Sequence, residues 1–463
     1  MKGKLLLLIL LLGAFIRFYK LPDLMPFIGD QGWYYISARD LLLTGEIPLV
    51  GITSSHIWLH QGAIWTYILA LIFKLSNFNP VVPSYFVAIL GTVTILIFYK
   101  LAKDLFSKKI ALVSSLLYAT SPLVVADSRM AYHTSLIPFF TIILIMAVFR
   151  FVNGKPSYFP FIIFLLAVLY NLEISTFTLA ISVAAVLIFG LLNKRKWATG
   201  ILNIKIFFYS AALFFVSMLP MIIYDLSHGY PQTVKFIVWV FYRIAVLLGY
   251  PPLNPNSPGE TWQTFFPFLI EQVRKIIFFP SKELSMVLLL LGFGYLSYRV
   301  YMDYKKKKTK FSQGILLWFG VIPLFGYIAA KTNSSAYLSI LYPQIFIIMA
   351  FLWDKIFYAG KVKIGVALLI IASLTNAYFL IKSNFFVRIS FIQRVEAARN
   401  IITLSKNKDY NIIGQGEGSQ YESFTTTHEY LTWWLGHGPS QNKEKIEFYI
   451  SEGTDKINID MMK

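Results

Sequence analysis

Apolar residues dominate stretches at 3–19, 82–101, 109–126, 136–152, 157–170, 173–192, 204–224, 284–301, 313–330, 335–353 and 362–382. Crossing a bilayer takes about 20 mostly apolar residues. The pattern therefore predicts an α-helical polytopic membrane protein with about 11 transmembrane helices. A further apolar stretch, "GAIWTYILALIFKLSN" at 62–77, is short for a crossing. The opening "MKGKLLLLILLLGAF" has the look of a signal peptide, but no small-residue cleavage site follows and the run passes into Arg17. It reads as an uncleaved first span.

The polar positions between the runs sort the topology. "KLAKDLFSKK" (100–109), "RFVNGK" (150–155), "NKRK" (193–196), "YKKKKTK" (304–310) and "DKIFYAGKVK" (354–363) are short and basic. Such loops stay cytoplasmic. The connections at 126–135, 171–173 and 331–336 carry few basic residues and face outward. Lys2 and Lys4 hold the N-terminus in the cytoplasm, which makes 20–61 the first external loop. Parity then confines 62–77 to an interfacial helix. The rival, an external N-terminus with 62–77 crossing, would leave Asp30 inside the cell.

Two segments break the apolar pattern. Residues 226–283 read as a long external loop holding the proline-rich "GYPPLNPNSPGE". Residues 383–463 turn polar and read as a small extracytoplasmic α/β domain, separate from a transmembrane unit at 1–382. In that domain "FIQRVEAARNIITLSK" and "HEYLTWWL" have helical character, "YNIIG" and "KIEFYIS" look like strands, and "GQGEGSQ" (414–420) reads as a loop.

Composition sharpens this picture. Of the 463 residues, 57% are hydrophobic and only 14% charged, whereas soluble chains carry about 25% charged residues. The net charge of +19 follows the cytoplasmic loops and does not argue for nucleic acid. With no cysteine, a disulfide, a thiolate zinc site and a cysteine nucleophile are all excluded. No P-loop, metalloprotease helix or dinucleotide-binding glycine pattern occurs.

Candidate chemistry gathers on the outward side. Asp30 opens the helix "GDQGWYYISARDLLLTG", as a cap for its free amides, as a functional carboxylate, or as both. "ADSRMAYHTS" supplies Asp127, Arg129, Tyr132 and His133, and "KTNSSAYLSILYP" supplies Lys331, Asn333 and Tyr337. Each has a plain structural reading as well: a polar turn, or a lysine snorkelling from a helix end. Arg17 lies at the outer end of the first span, and Glu173 interrupts two spans at a turn. His60 and Gln61 anchor one end of the interfacial helix, and Trp33, Tyr34, Tyr35 and Trp58 offer sugar-stacking or lipid-interface faces. The charge rule places all of them on one face.

The succession of "RFYKLP", "GDQGWYYISARDLLLTGEIP", "HQGAIWTYILALIFKL", "LAKDLFSKK" and "SPLVVADSRMAYHTSLIPFF" resembles the GT-C superfamily of membrane glycosyltransferases. Within it the chain is most similar to the family 39-like branch of protein O-mannosyltransferases and lipid A aminoarabinose transferases. The resemblance is close over about residues 10–152 and looser to 353, where "AYLSILYPQIFIIMA" matches the family's Tyr-Leu…Pro helix. It implies a GT-C-like fold and transfer of a sugar from a polyprenyl-phosphate donor at the outer face. The acceptor would be a protein, lipid or glycan. Where the family carries an Asp-Glu pair this chain has Asp30-Gln31, and Ala336 stands where an Arg or His is common.

The resemblance implies Asp30 as the catalytic base or acceptor-orienting carboxylate. Arg17, Gln31, Trp33, Tyr34, His60, Arg129, Tyr132, His133, Lys331 and Tyr337 are the expected substrate-binding residues. A phosphate leaving group needs cations or amides rather than a strong acid, so one carboxylate suffices and a single displacement inverts the anomeric centre. A divalent metal is not expected, although some GT-C relatives use one. Two other classes compete. A transporter or flippase of lipid-linked sugars would show inverted repeats and charges near the midplane. A membrane anchor would keep its active part in 383–463.

Overall fold

The computed structural model describes residues 2–53, 59–250, 261–306, 311–331, 334–358, 362–382, 387–453 and 455–462. Trp58 and Asn333, most of the proline-rich 249–260 stretch, and parts of the 304–310 and 354–363 loops lie outside the described residues.

The described residues are mostly helical. Seven among the described residues are long and apolar enough to cross a membrane: Val82–Leu105, His133–Val152, Ile174–Leu192, Ile204–Ser227, Lys282–Asp303, Ser335–Ile356 and Val362–Lys382. Ile64–Ser76, Pro156–Leu172 and Gly314–Ala330 are shorter apolar helices, and the leading run forms a helix at Lys2–Phe18. The expected span at 109–126 is not one helix. It splits into Lys108–Thr120 and Pro122–Asp127. Pro122 drives the residue before it out of the helical region, and Ser121 adopts φ −68, ψ 124. The break is held from outside, because Ser121 Oγ donates to the Ile276 carbonyl at 2.7 Å.

Residues 20–61 hold a helix, Gly29–Thr44, and all but the last residue of a two-stranded antiparallel pair, Val50–Thr53 with His60–Gly62. The helix is capped by Ile28, not by Asp30. The Gln31 side chain reaches back and accepts from the Ile28 amide at 3.0 Å. Asp30 lies one residue inside that start, so its carboxylate is released from capping.

The segment at 226–283 carries two helices, Pro231–Leu247 and Trp262–Ile277. Asp225 starts the first by accepting from the amides of Gln232 (2.7 Å) and Thr233 (3.1 Å). Gln232 in turn clamps the hairpin. Its Oε1 accepts from the His60 amide at 3.1 Å and its Nε2 donates to the His60 carbonyl at 2.8 Å.

The C-terminal region contains helices Phe391–Ser405 and Thr426–Trp434 and a three-stranded sheet. Asn411–Gly414 pairs parallel with Glu447–Glu452, which pairs antiparallel with Ile457–Met462. Ile401, Tyr410, Phe448 and Ile450 form its buried core. The helix Thr426–Trp434 docks on Gly29–Thr44. Tyr430 stacks on Phe73 at 5.7 Å and donates to the Phe78 carbonyl at 2.7 Å, and Arg39 lies over the Trp433 ring at 4.9 Å. Backbones approach closely here. A Cβ on Gly32 would fall 2.4 Å from the Thr427 nitrogen, and one on Gly29 would fall 2.2 Å from the Ser423 oxygen. The two glycines flanking Asp30-Gln31 thus let the C-terminal chain onto the carboxylate.

Candidate active site

Both oxygens of Asp30 are engaged by side chains from elsewhere. Tyr132 Oη donates to Oδ2 at 2.9 Å, and Ser423 Oγ donates to Oδ1 at 2.7 Å. The neighbouring Gln31 is fully buried and donates to the Ala131 carbonyl at 3.3 Å, tying the first loop to the 128–133 turn.

Behind Tyr132 stands an aromatic wall. Its ring lies 4.0 Å from His133 and 6.2 Å from Tyr34, Tyr34 is 5.4 Å from His133, and Trp33 packs edge-on against Tyr34. Next to His133 stands Glu173, only 4% exposed. Its Oε2 lies 3.4 Å from His133 Nε2 and accepts from Gln61 Nε2 at 3.2 Å, while Oε1 accepts from the Ser175 amide at 3.3 Å. Burial pushes the Tyr34 and Tyr132 hydroxyls well above their usual range, and the charges of Glu173 and Asp30 push them further. Both phenols therefore stay protonated, and Tyr132 keeps its role as donor to Asp30.

Two unlike cavities open at the two ends of the Asp30–Tyr132–His133–Glu173 series, one lined by Asp30 and the other by Glu173. One, about 550 Å³, is lined mostly by apolar side chains such as Ile181, Val321 and Phe325, with Glu173, Arg243 and Tyr337 as polar points. Arg243 donates to the Ala330 carbonyl at 3.1 Å from the helix Pro231–Leu247. The other cavity, about 290 Å³, is polar and is lined by Asp30, Arg394, Tyr421, Ser423 and Glu452. Arg394 is 5% exposed and pairs with Glu452, with Nη2 2.8 Å from Oε2. His428 Nε2 lies 3.2 Å from the same carboxylate. Burial works against the Glu452 charge, but the hydrogen bonds from His428 and Arg394 and the Arg394 charge outweigh it, holding the group at about 2.

Of the expected site residues, Asp30, Gln31, Trp33, Tyr34, Tyr132 and His133 come together, and Tyr337 lines the apolar cavity. The cations do not join them. Arg17 and Arg129 cap helices reciprocally: Arg17 donates to the Ala119 carbonyl at the end of Lys108–Thr120, and Arg129 donates to the Ile16 carbonyl at the end of Lys2–Phe18. Each guanidinium thus meets the negative end of a helix dipole. His60 is half-buried, with Nδ1 3.2 Å from the Gly51 carbonyl and its ring edge-on to Tyr224. Lys331 lies over the Trp262 ring at 4.5 Å. Arg243, Gln61, Arg394 and Ser423 were absent from the expected set. A lone Arg in the apolar run "FIVWVFYRIAVL" was the signal available for the first. Among the described residues no three His, Cys, Asp or Glu side chains gather as a metal-holding group.

Comparison with known proteins fits this geometry. Residues 60–224 match the profile of the dolichyl-phosphate-mannose-protein mannosyltransferase family. No curated protein matches the sequence significantly. The archaeal oligosaccharyltransferase AglB from Archaeoglobus fulgidus, solved with an inhibitory peptide and a dolichol-phosphate, aligns with a TM-score of 0.58 at 12% identity over 93% of this chain and 63% of that one. Its apo form aligns with a TM-score of 0.58 at 13% identity, over 93% of this chain and 64% of its own length. This chain thus spans less than two thirds of that enzyme. ArnT from Cupriavidus metallidurans, bound to undecaprenyl phosphate, aligns with a TM-score of 0.60 at 10% identity, covering 96% of this chain and 93% of that one. Likeness at these identities is likeness of fold. The chain therefore has a GT-C-like fold, and its residues 60–224 are similar to the dolichyl-phosphate-mannose-protein mannosyltransferase family.

Proposed function

We propose that this protein transfers a sugar from a polyprenyl-phosphate carrier to a hydroxyl acceptor at the outer face of the membrane. The observation that carries this reading is a pair of unlike cavities, one with Asp30 on its lining and the other with Glu173 and Arg243, linked by the contacts Asp30–Tyr132, Tyr132–His133 and His133–Glu173. A lipid-phosphate donor has the same division, an apolar tail joined to an anionic head.

The carrier chain lies in the apolar cavity, and its phosphate meets the Arg243 guanidinium and the Tyr337 hydroxyl. A guanidinium suits this task because its charge is permanent and its donors form a fork. Asp30 is the base. The acceptor hydroxyl gives its proton to Asp30 as its oxygen bonds to the anomeric carbon, the bond from that carbon to phosphate breaks, and the phosphate leaves as an anion with its lipid. Tyr132 fixes one carboxylate oxygen so that the other faces the acceptor. Gln61 holds Glu173, Glu173 holds His133, and His133 packs on Tyr132 and Tyr34. One displacement inverts the anomeric centre.

In this arrangement residues 1–382 form the membrane unit, the N-terminus is cytoplasmic, and residues 383–463 lie outside with Asp30. Purified protein incubated with a panel of polyprenyl-phosphate sugars, and a membrane extract as the source of acceptor, tests the reading. Sugar transfer that Asp30→Asn abolishes supports it. Transfer undiminished in Asp30→Asn, or none with any donor, overturns it.

A further inference from the structure

The polar cavity beside Asp30 has a wall that this reaction leaves unused. We infer that Ser423 holds the place of the acceptor hydroxyl in the resting protein, and that the cavity behind it is the acceptor subsite, taking a primary alcohol. The inference rests on the proposal that Asp30 is the base.

Tyr132 occupies Asp30 Oδ2, which leaves Oδ1 as the oxygen facing the cavity. The group found there is an aliphatic hydroxyl, Ser423 Oγ, donating at 2.7 Å. That is the donor type and the distance at which a general base receives a proton from an alcohol. Displacing Ser423 Oγ requires only a turn of its own side chain. Between Gly414 and Thr426 the segment has no regular secondary structure, with Gly416 and Gly418 at positive φ of 84 and 91. Its backbone stays held by Gln415 donating to the Ile450 carbonyl at 2.8 Å and by the contact with Gly29. Tyr421, on the cavity lining, is 64% exposed. The opposite wall is fixed. Arg394 and Glu452 pair with each other and offer polar edges to whatever enters. An incoming alcohol displaces Ser423, takes up the same bond to Oδ1, and passes its proton to Asp30 as its oxygen bonds to the sugar carbon and the phosphate departs.

A placeholder hydroxyl also keeps water off the base, and this supplies the test. Full-length protein is incubated with sugar-labelled polyprenyl-phosphate donors and no acceptor, and free sugar is counted. Ser423→Ala opens room for water, so it releases free sugar several-fold faster than the parent. Ser423→Thr, which keeps the hydroxyl, stays at the parent rate, and Asp30→Asn releases none. Ser423→Gly gives the same reading should the alanine variant fail to fold. Release from Ser423→Ala at or below the parent rate, or no higher than from Asp30→Asn, overturns the placeholder and leaves the base assignment standing. Release that persists unchanged in Asp30→Asn overturns the base assignment itself.

Discussion

Tyr132 and Asp30 lie 102 positions apart and share a hydrogen bond of 2.9 Å, the phenol donating to the carboxylate. This bond joins the first loop to the second at the residue that lines the smaller cavity. Its removal leaves Asp30 free to rotate without emptying either cavity. Tyr132→Phe is therefore expected to lower kcat with KM for the donor unchanged. A hydrogen bond to a charged group is worth about 1.5–3 kcal/mol, which corresponds to roughly 10- to 100-fold in rate. Steady-state kinetics on the donor found active in the panel decide it, and a rise in KM with kcat intact would assign Tyr132 to donor binding instead.

Gly32 faces the backbone of Thr426 and Thr427 with no room for a methyl group. The clash is with main chain, so no side-chain rotation relieves it. Gly32→Ala is expected to push the helix Thr426–Trp434 off Gly29–Thr44 and to cost about 1–3 kcal/mol, the usual range for overpacking. Gly3→Ala, at a site with nothing within 4 Å, is the control. Thermal unfolding in detergent and amide exchange over residues 426–434 measure the effect. Equal exchange in the two variants would mean that the contact is looser than described.

The residues around Asp30 that sequence made legible share one property: each sits next to a change in local pattern. Asp30 opens a helix after a turn, and Tyr132 and His133 fill a short polar break between apolar runs. The break at Ser121 was also legible in principle, since a proline restricts the residue before it, but the continuous apolar run from 109 to 126 masked it. Ser423 was not legible. It reaches Asp30 across 393 positions, through a docking set by Gly29 and Gly32. Arg243 was hidden for another reason: the prolines of 251–258 made the whole of 226–283 read as a loop, whereas helices stand on either side of them.

The reciprocal bonds of Arg17 and Arg129 separate structural cations from ligand-binding ones. Each guanidinium is buried on the carbonyl end of a helix. Arg129→Lys keeps the charge and loses the fork, so it is expected to lower the unfolding temperature while leaving KM for the donor unchanged. Arg243→Ala acts at the apolar cavity and is expected to raise that KM about tenfold or more, in line with the cost of removing a charge-assisted hydrogen bond. Kinetics and thermal unfolding on the two variants should give opposite patterns. A shared pattern would erase the distinction.

His428 and Glu452 give the C-terminal unit a dependence on acid. Burial holds His428 below its usual pKa, with Arg394 opposing and Glu452 favouring its charged form. The unfolded chain takes up that proton more readily, so stability falls as pH drops through about 6.5, the value for a free histidine. Glu452 is held at about 2. Its contribution is complete above about 4.3, the unfolded value, and is lost as pH falls toward the folded one. Both groups move stability in the same direction, the histidine first. The protection of amides 426–434, exchange taken relative to the intrinsic rate at each pH, is expected to fall between about pH 7 and pH 5 in the parent protein. His428→Gln keeps a donor toward Glu452 and no longer titrates, so the upper part of the decline should vanish while the lower part remains. An unchanged upper decline in that variant would place the sensitive group elsewhere. Since Arg394 and Glu452 also line the cavity at Asp30, the same loosening reaches that cavity, and activity should fall over the same pH range as protection falls.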